Sequence, residues 1–311
     1  MQVPVPSEPE DSVEALLSHE GRCNTSSAAL GRLTRKRCCG RTFIWSPDAC
    51  IQLLPTGITA VLVFGVVFTL WSELGVIELL ALASFLFSAA ASAFTLCSSD
   101  PGVYPRLRLG EIDPLRERMD LVYCRVCALR RPPRVSHCYE CDVCVLEHDH
   151  HCGVLGGCVG QRTMRWFMLY LISIEGALFI GVFWLFRALI HLGPEIAGRG
   201  VRLGENASKV EETDVAPHAP ATSMESEDMR AVVIVLLFIA VSLISMLVGG
   251  MMFYYFYLVV TCTTRRESQR KSKRTQQSLT FETIKMNVAR VIYPPPSLLV
   301  ESPTLNVEDI V

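Results

Sequence analysis

Residues 51–97 read IQLLPTGITAVLVFGVVFTLWSELGVIELLALASFLFSAAASAFTLC, and Glu73 and Glu78 are the only charged side chains in that stretch. At ~1.5 Å per residue, the runs Ile51 to Trp71 and Gly75 to Cys97 are each long enough as helices to cross ~30 Å of hydrocarbon. Only the short turn from Trp71 to Gly75 separates them, which predicts a helical hairpin in a bilayer. Further along the chain, two more apolar runs follow, Trp166 to His191 and Ala231 to Val260, the last ending in the aromatic belt Phe253, Tyr254, Tyr255, Phe256, Tyr257. Half of the 311 residues are hydrophobic, only 19% are charged, and the charges lie almost wholly outside these runs. That distribution excludes a single soluble core, a disordered chain and a collagen-like fibre.

Orientation follows from the basic residues. Outside the spans there are 6 Lys and Arg before residue 51, 10 in residues 98–165 and 8 after residue 260, whereas residues 194–230 carry 4 against 8 acidic residues. The positive-inside rule places both termini and the 98–165 loop in the cytosol and residues 194–230 on the far side. The sequon Asn206-Ala207-Ser208 falls in that far-side loop, in keeping with this assignment. Acidic residues from Glu8 to Glu20 precede any apolar run, so no cleavable signal peptide is expected.

Seven of the 13 cysteines lie between Cys124 and Cys158. In a reducing cytosol such density favours metal ligation over disulfides. The order is Cys124-x2-Cys127, then His137-Cys138-x2-Cys141-x2-Cys144, then Asp149-His150-His151-Cys152, then Cys158. Paired Cys-x2-Cys knuckles followed by His are zinc spacing, since a tight turn brings two thiolates to one tetrahedral ion. Seven Cys with His137, His148, His150 and His151 offer eleven ligands; two four-coordinate sites use eight and leave three. Spacing does not say which three, but Asp149-His150-x-Cys152 has the composition of a nucleophile, a base and an orienting carboxylate.

The loop resembles the cysteine-rich domain of the DHHC family of protein S-acyltransferases. The residues that carry the resemblance are Cys124-x2-Cys127-x3-Arg131-Pro132-x-Arg134-x2-His137-Cys138-x2-Cys141-x2-Cys144-x4-Asp149-His150-His151-Cys152-x5-Cys158, with Asp100-Pro101-Gly102 after the second span. The resemblance implies an α-helical polytopic membrane protein of four transmembrane helices with a cytosolic zinc-binding domain between the second and third. The expected divisions are tail 1–50, helices 51–97, cysteine-rich domain 98–165, helix 166–193, lumenal loop 194–230, helix 231–260 and tail 261–311. It implies one zinc on Cys124, Cys127, His137 and Cys144, and a second on Cys138, Cys141, His151 and Cys158. Cys152 becomes the nucleophile, His150 its base and Asp149 the residue that orients His150. The implied activity is transfer of a fatty acyl group from acyl-CoA to cysteines of membrane-associated proteins, in an endomembrane or the plasma membrane. An acyl chain gains ~0.8 kcal/mol per CH2 on leaving water, which suits a pocket among the spans. Nucleic acid is not an expected partner.

The chain departs from the family pattern after the nucleophile, where Gly153-Val154-Leu155-Gly156-Gly157 replaces Pro-Trp-Val-Asn-Asn and Val154 takes the acyl-facing aromatic position. Thr163 stands for the family's Asn, and Thr263-Thr264-Arg265-Arg266-Glu267 carries its Glu one position late. Asn287 to Tyr293 echo a C-terminal Asn and aromatic motif. Glu175 lies near the bilayer midplane and is expected to face the bundle; with Gly176 and Ala177 it is expected to shape the deep end of the acyl pocket. Arg187, twelve residues on, is too far along the helix to pair with it. His148 reads as a solvated loop residue, Cys38 and Cys39 beside Arg35-Lys36-Arg37 as acceptors of self-acylation, and Asp309-Ile310-Val311 as a chance match to a groove-binding tail. A zinc-stabilised membrane scaffold without transferase activity is the alternative function.

Overall fold

The computed structural model describes residues 30–38, 41–107, 112–209, 221–269 and 279–299. A hairpin of β1 (Thr34–Cys38) and β2 (Arg41–Trp45) leads through a 3-10 turn (Ala49–Gln52) into α1 (Leu53–Leu70) and α2 (Val76–Ser98). The Glu78 carboxylate accepts from the Gly75 backbone N–H at 2.9 Å and fixes the start of α2. After the cysteine-rich region come α3 (Met164–Lys209), α4 (Ala221–Val260), the short α5 (Arg265–Gln269) and α6 (Phe281–Ile292).

Four helices are long and apolar enough to cross a membrane: Ala49–Glu73, Val76–Ser98, Met164–Pro194 and Met229–Val260. Their apolar side chains point outward, with Phe64, Phe68, Phe87 and Leu247 all more than two-thirds exposed. Such a surface requires a lipid solvent, because it would be far larger than the apolar patches that soluble proteins tolerate. α3 is the central helix, packed along α2 and α4, with α1 against the outer side. At the end of the bundle remote from the cysteines, Arg187 of α3 pairs with Glu78 at 3.1 Å and donates to the Glu73 carbonyl, while Arg230 pairs with Glu73. These ion pairs join all four helices where α1 turns into α2.

The segment between the third and fourth spans is helical over most of its length. Helix α3 runs on from the membrane to Lys209 and α4 starts at Ala221, so helix replaces most of residues 194–230, and residues 210–220 lie outside the described part. Extending an existing helix needs no new nucleus, which lets the stretch continue through Pro194 and three glycines.

The cysteine-rich region is built from short antiparallel strands. β3 (Val103–Tyr104), β7 (Val143–Leu146) and β6 (Val135–Cys138) form one sheet; β4 (Tyr123–Cys124) pairs β5 (Leu129–Arg130), and β8 (His150–Cys152) pairs β9 (Gly157–Val159). Two small apolar cores built around the cysteines hold it together. Asp100 of the Asp-Pro-Gly motif caps the turn into β3 by accepting from the N–H groups of Gly102 and Val103, and Ser297 donates to its other oxygen. Asn287 on α6 donates to the Val260 carbonyl at 2.7 Å, docking α6 on the end of α4. The motif at Asn287 therefore positions the C-terminal segment over the cysteine-rich region.

Candidate active site and metal clusters

The register of β6 against β7 places His137 opposite Cys144, and the turns after Cys124 and Cys138 return Cys127 and Cys141 to the same point. Two buried groups result, Cys124, Cys127, His137, Cys144 and Cys138, Cys141, His151, Cys158, each with its ligand atoms within 4.8 Å of one another. In the first, Nδ1 of His137 lies 3.7, 3.4 and 3.9 Å from the three sulfurs. In the second, Nδ1 of His151 lies 3.7, 3.4 and 3.5 Å from its three. A tetrahedral ion with metal–sulfur bonds of ~2.3 Å and metal–nitrogen bonds of ~2.0 Å sets sulfur and nitrogen ~3.5 Å apart, so both groups have the dimensions to hold a metal ion. Burial lowers the pKa of His151, but hydrogen bonds and charge from Cys138 and Cys141 outweigh it and raise it to about 10. The thiolates thus favour a positive charge at that point, and a bound cation would supply it.

β8 carries His150, His151 and Cys152 in succession, and strand alternation sends His151 into the metal group while its neighbours face the helices. Asp149 is 1% exposed and its Oδ2 lies 2.8 Å from Nδ1 of His150. Its other oxygen accepts from the Arg265 backbone N–H. Burial raises the Asp149 pKa, but the hydrogen bonds from His150 and Arg265 lower it further, so the carboxylate is ionised. An Asp149 acceptor at Nδ1 leaves Nε2 of His150 for the thiol of Cys152. Burial raises the Cys152 pKa, and the hydrogen bond and charge of His150 together with backbone hydrogen bonds from Leu155 and Val154 overcome this, leaving it below the ordinary value of 9.0. His150 moves the other way: burial lowers its pKa, and Asp149 and Cys152 raise it above the ordinary value.

Beneath Cys152 lies an apolar cluster that includes Ala93, Leu155, Met168, Leu171 and Leu258. Met168, Leu171 and Glu175 follow one another at helical spacing on α3, so the stripe leads from Cys152 about two turns down to Glu175. Glu175 accepts from Ser245 Oγ at 2.7 Å and abuts Gly249, both on α4, while Arg187 pairs with Glu78 instead. The three positions grouped for the deep pocket do not share a face. Gly176 backs onto the Phe85 ring of α2, and Ala177 packs in a second cluster with Val66, Trp184 and Leu185. Successive helix residues point ~100° apart, which separates them.

The structure adds to three sequence readings in this region. Val154 is 55% exposed and turns away from the cluster, whereas Leu155, 2% exposed, fills it. The tight turn closed by the Gly156 N–H to Cys152 carbonyl bond puts Val154 at its crown. His148 is 2% exposed rather than solvated, because Glu147 with φ of +46° turns the chain inward after β7. Burial lowers the His148 pKa and keeps the ring neutral. Glu267, one position late, still accepts from the Thr264 N–H at 2.9 Å and pairs with Arg134 at 3.1 Å, because the first turn of α5 brings it back to Thr264 as a capping box. Sequence reasoning also missed Tyr255, whose hydroxyl lies 3.3 Å from Nδ1 of His150 and whose ring packs edge-on against Phe167. Of the self-acylation pair, Cys38 is exposed at the end of β1, while Cys39 and the C-terminal Asp309-Ile310-Val311 lie outside the described residues.

The pliant loop after Cys152 is conformationally specific. Gly156 has φ of +64°, and a Cβ there would collide with the Asp48 carbonyl oxygen. The left-handed conformation costs an L-residue about 1–2 kcal/mol and overpacking adds ~1–3 kcal/mol. Gly156→Ala should therefore melt several degrees below the parent in detergent, while Gly153→Ala, whose Cβ meets nothing within 4 Å, should melt with it. Equal melting of both variants would refute the close approach.

The family model described as DHHC palmitoyltransferase matches residues 117–272. Similar curated proteins include Palmitoyltransferase ERF2 of Candida glabrata, 36% identical over an alignment of 124 residues, with a coverage of 33% of this chain and 38% of that protein. Palmitoyltransferase ZDHHC14 of Danio rerio is 44% identical over 77 residues, 25% of this chain and 15% of that one. Palmitoyltransferase erf2 of Schizosaccharomyces pombe is 31% identical over 161 residues, 44% and 46% respectively. The chain thus matches less than half the length of each of these relatives. The family match spans half of the chain, from the first knuckle through α3 and α4 to α5, and takes in both metal groups and the Asp149, His150 and Cys152 set; the chain belongs to the DHHC palmitoyltransferase family.

Proposed function

We propose that this protein is a protein S-acyltransferase that moves a long-chain acyl group from acyl-CoA to cysteine thiols of membrane-associated proteins through an acyl-Cys152 intermediate. The observation that carries this reading is the buried relay from Asp149 to His150 to Cys152, set over the apolar stripe that descends to Glu175. Cys152 Sγ attacks the thioester carbonyl, the new S–C bond forms as the bond to CoA sulfur breaks, and the CoA thiolate takes the proton held by His150. In the second half, His150 accepts the proton of the substrate thiol as that sulfur displaces Cys152. The acyl chain lies along Met168 and Leu171 toward Glu175, with Leu155 covering its thioester end. The two Cys3His groups take zinc, the ion that suits thiolate and imidazole ligands in closed four-coordinate sites, and zinc holds β8 and β9 in register. Both termini and the cysteine-rich domain (98–165) face the cytosol, where acyl-CoA is met. Incubating the purified protein with palmitoyl-CoA should give a hydroxylamine-labile adduct on Cys152 by mass spectrometry. No adduct on any cysteine would favour the zinc-stabilised scaffold.

The pH dependence follows from the two shifted groups. The thiolate is the reacting form and its pKa is lowered, so the rate of adduct formation should fall on acidification at a lower pH than it would for an ordinary thiol. His150→Ala removes the hydrogen bond and charge of the imidazole, which lower it, and leaves burial opposed only by the backbone bonds from Leu155 and Val154. The acid limb should then move to higher pH, with a loss of about 10²–10⁴-fold at neutral pH. Rates of single-turnover acylation across pH for both proteins are the measurement, and an unmoved limb would remove His150 from the relay.

A further inference from the structure

The two metal groups are not equally self-contained. Around the first, a carboxylate near Nε2 of His137 is that of Asp142 at 3.6 Å, which lies in the cysteine-rich region between Cys141 of the second group and Cys144 of the first and is itself held by Arg106. Around the second, the corresponding carboxylate comes from far away in sequence: Asp48 Oδ2 stands 3.2 Å from Nε2 of His151. Ser46 Oγ lies 3.7 Å from Sγ of Cys141, another ligand of that group. The segment bearing both is tied down independently. Arg32 N–H donates to the Cys141 carbonyl at 2.9 Å, Ser46 N–H donates to the Cys97 carbonyl at the end of α2, and Leu30, Leu33 and Ile44 are buried against Cys138, Cys141 and Cys158.

These contacts have the chemistry of an outer shell. A ligating histidine is oriented by a carboxylate at its second nitrogen, and a hydroxyl donated to a thiolate stabilises its negative charge. With Nδ1 of His151 turned to the three sulfurs, Nε2 carries the hydrogen; it is buried without an aligned hydrogen bond, and the carboxylate that stands beside it is that of Asp48, at 3.2 Å. Asp48 also occupies the space beside Gly156, so its main chain touches the loop that presents Cys152.

We propose that Ser46 and Asp48 form the outer shell of the second metal group, so that the N-terminal segment, outside the 117–272 family match, positions His151 and through β8 the neighbouring Cys152. This rests on the reading that the second group binds zinc. Ser46 and Asp48 are positioning residues and make no contact with substrate.

The test uses the full chain in detergent micelles, with zinc per chain followed over time after addition of a chelator. The wild-type protein should hold two ions, both released slowly. In Asp48→Asn, one of the two should leave about 10–100-fold faster while the other keeps its wild-type rate, and Ser46→Ala should act in the same direction on the same ion. Asp142→Asn should accelerate the other ion. In the cobalt-substituted protein, Asp48→Asn should alter the ligand-field bands of one site only, which a loss of general stability would not do. Wild-type release of both ions in Asp48→Asn and in the Ser46→Ala, Asp48→Asn double variant overturns the inference. So does joint loss of both ions with the fold, which would make the segment a general prop. A wild-type chain that binds no zinc overturns the zinc reading itself, and is distinguished by being seen before any variant is made.

Discussion

Cys152→Ala should abolish the acyl adduct and leave both metal ions in place. The two halves of that expectation rest on separate facts. Cys152 belongs to neither group of converging ligands, its side chain packs with Leu155, Phe167 and Leu258, and its partner is His150. Loss of one sulfur from that cluster removes no bond to metal. Its destabilisation should be that of a small core truncation, at most about 1–2 kcal/mol, too little to open a domain held by eight ligands. The chemistry has no substitute, because Cys141 and Cys158 lie within the second group, and Cys97, at the end of α2 beside Gly157, is bonded to Gln52 and the Phe94 carbonyl rather than to a histidine. Intact-mass spectrometry after palmitoyl-CoA treatment, with zinc per chain on the same sample, reads both halves. Loss of zinc would mean that the ligand sets are drawn wrongly. Normal acylation would mean that another thiol is the nucleophile, or that acyl groups arrive without the enzyme's help.

The parts legible in the sequence are those governed by length and short-range spacing. The spans follow from runs almost free of charge matched to bilayer thickness, and the four membrane-length segments agree with those runs to within about three residues at each end, although the third and fourth helices run on beyond them. The cysteine knuckles are local turns, so their spacing already indicates which atoms can meet. Features set by long-range packing were not legible. Tyr255 is one of five consecutive aromatic residues that read as an interfacial belt; helical geometry turns it alone inward, at 3% exposure against 39–69% for the others. Nothing in the sequence says which one the bundle selects. His148 looks like any polar loop residue until the left-handed Glu147 folds it under. Ser46 and Asp48 lie about a hundred positions from Cys141 and His151, and no local pattern links them. Glu267 shows the converse: counting along the motif marked it as displaced, yet a helical first turn restores its contacts.

Cys158→Ala should do what Cys152→Ala does not: release metal, open the β8–β9 pair and lose the adduct as a consequence. Cys158 is 3% exposed, 3.4 Å from Sγ of Cys141 and 3.5 Å from Nδ1 of His151, and pairs directly with His151 across the ladder. β8 and β9 contribute three residues each and pair with each other alone, so backbone hydrogen bonds cannot hold them. In the proposed function the metal does so, together with the packing of Cys152, Leu155 and Val159. Apparent binding energies of structural zinc reach about 10–16 kcal/mol, as large as the whole stability of an ordinary domain at ~5–15 kcal/mol. Losing one of four ligands therefore removes more than the region can spare. Zinc per chain should fall by at least one, and hydrogen exchange at amides from His150 to Val159 should rise by orders of magnitude while α3 and α4 remain protected. Adduct formation should fail even though Cys152, His150 and Asp149 are all present, because their approach depends on the ladder that the metal fixes. A variant that keeps both ions and wild-type protection would show that Cys158 is not a ligand. One that loses an ion yet acylates normally would show that the reactive loop is held by its packing on Leu96, Leu155 and Phe167 instead.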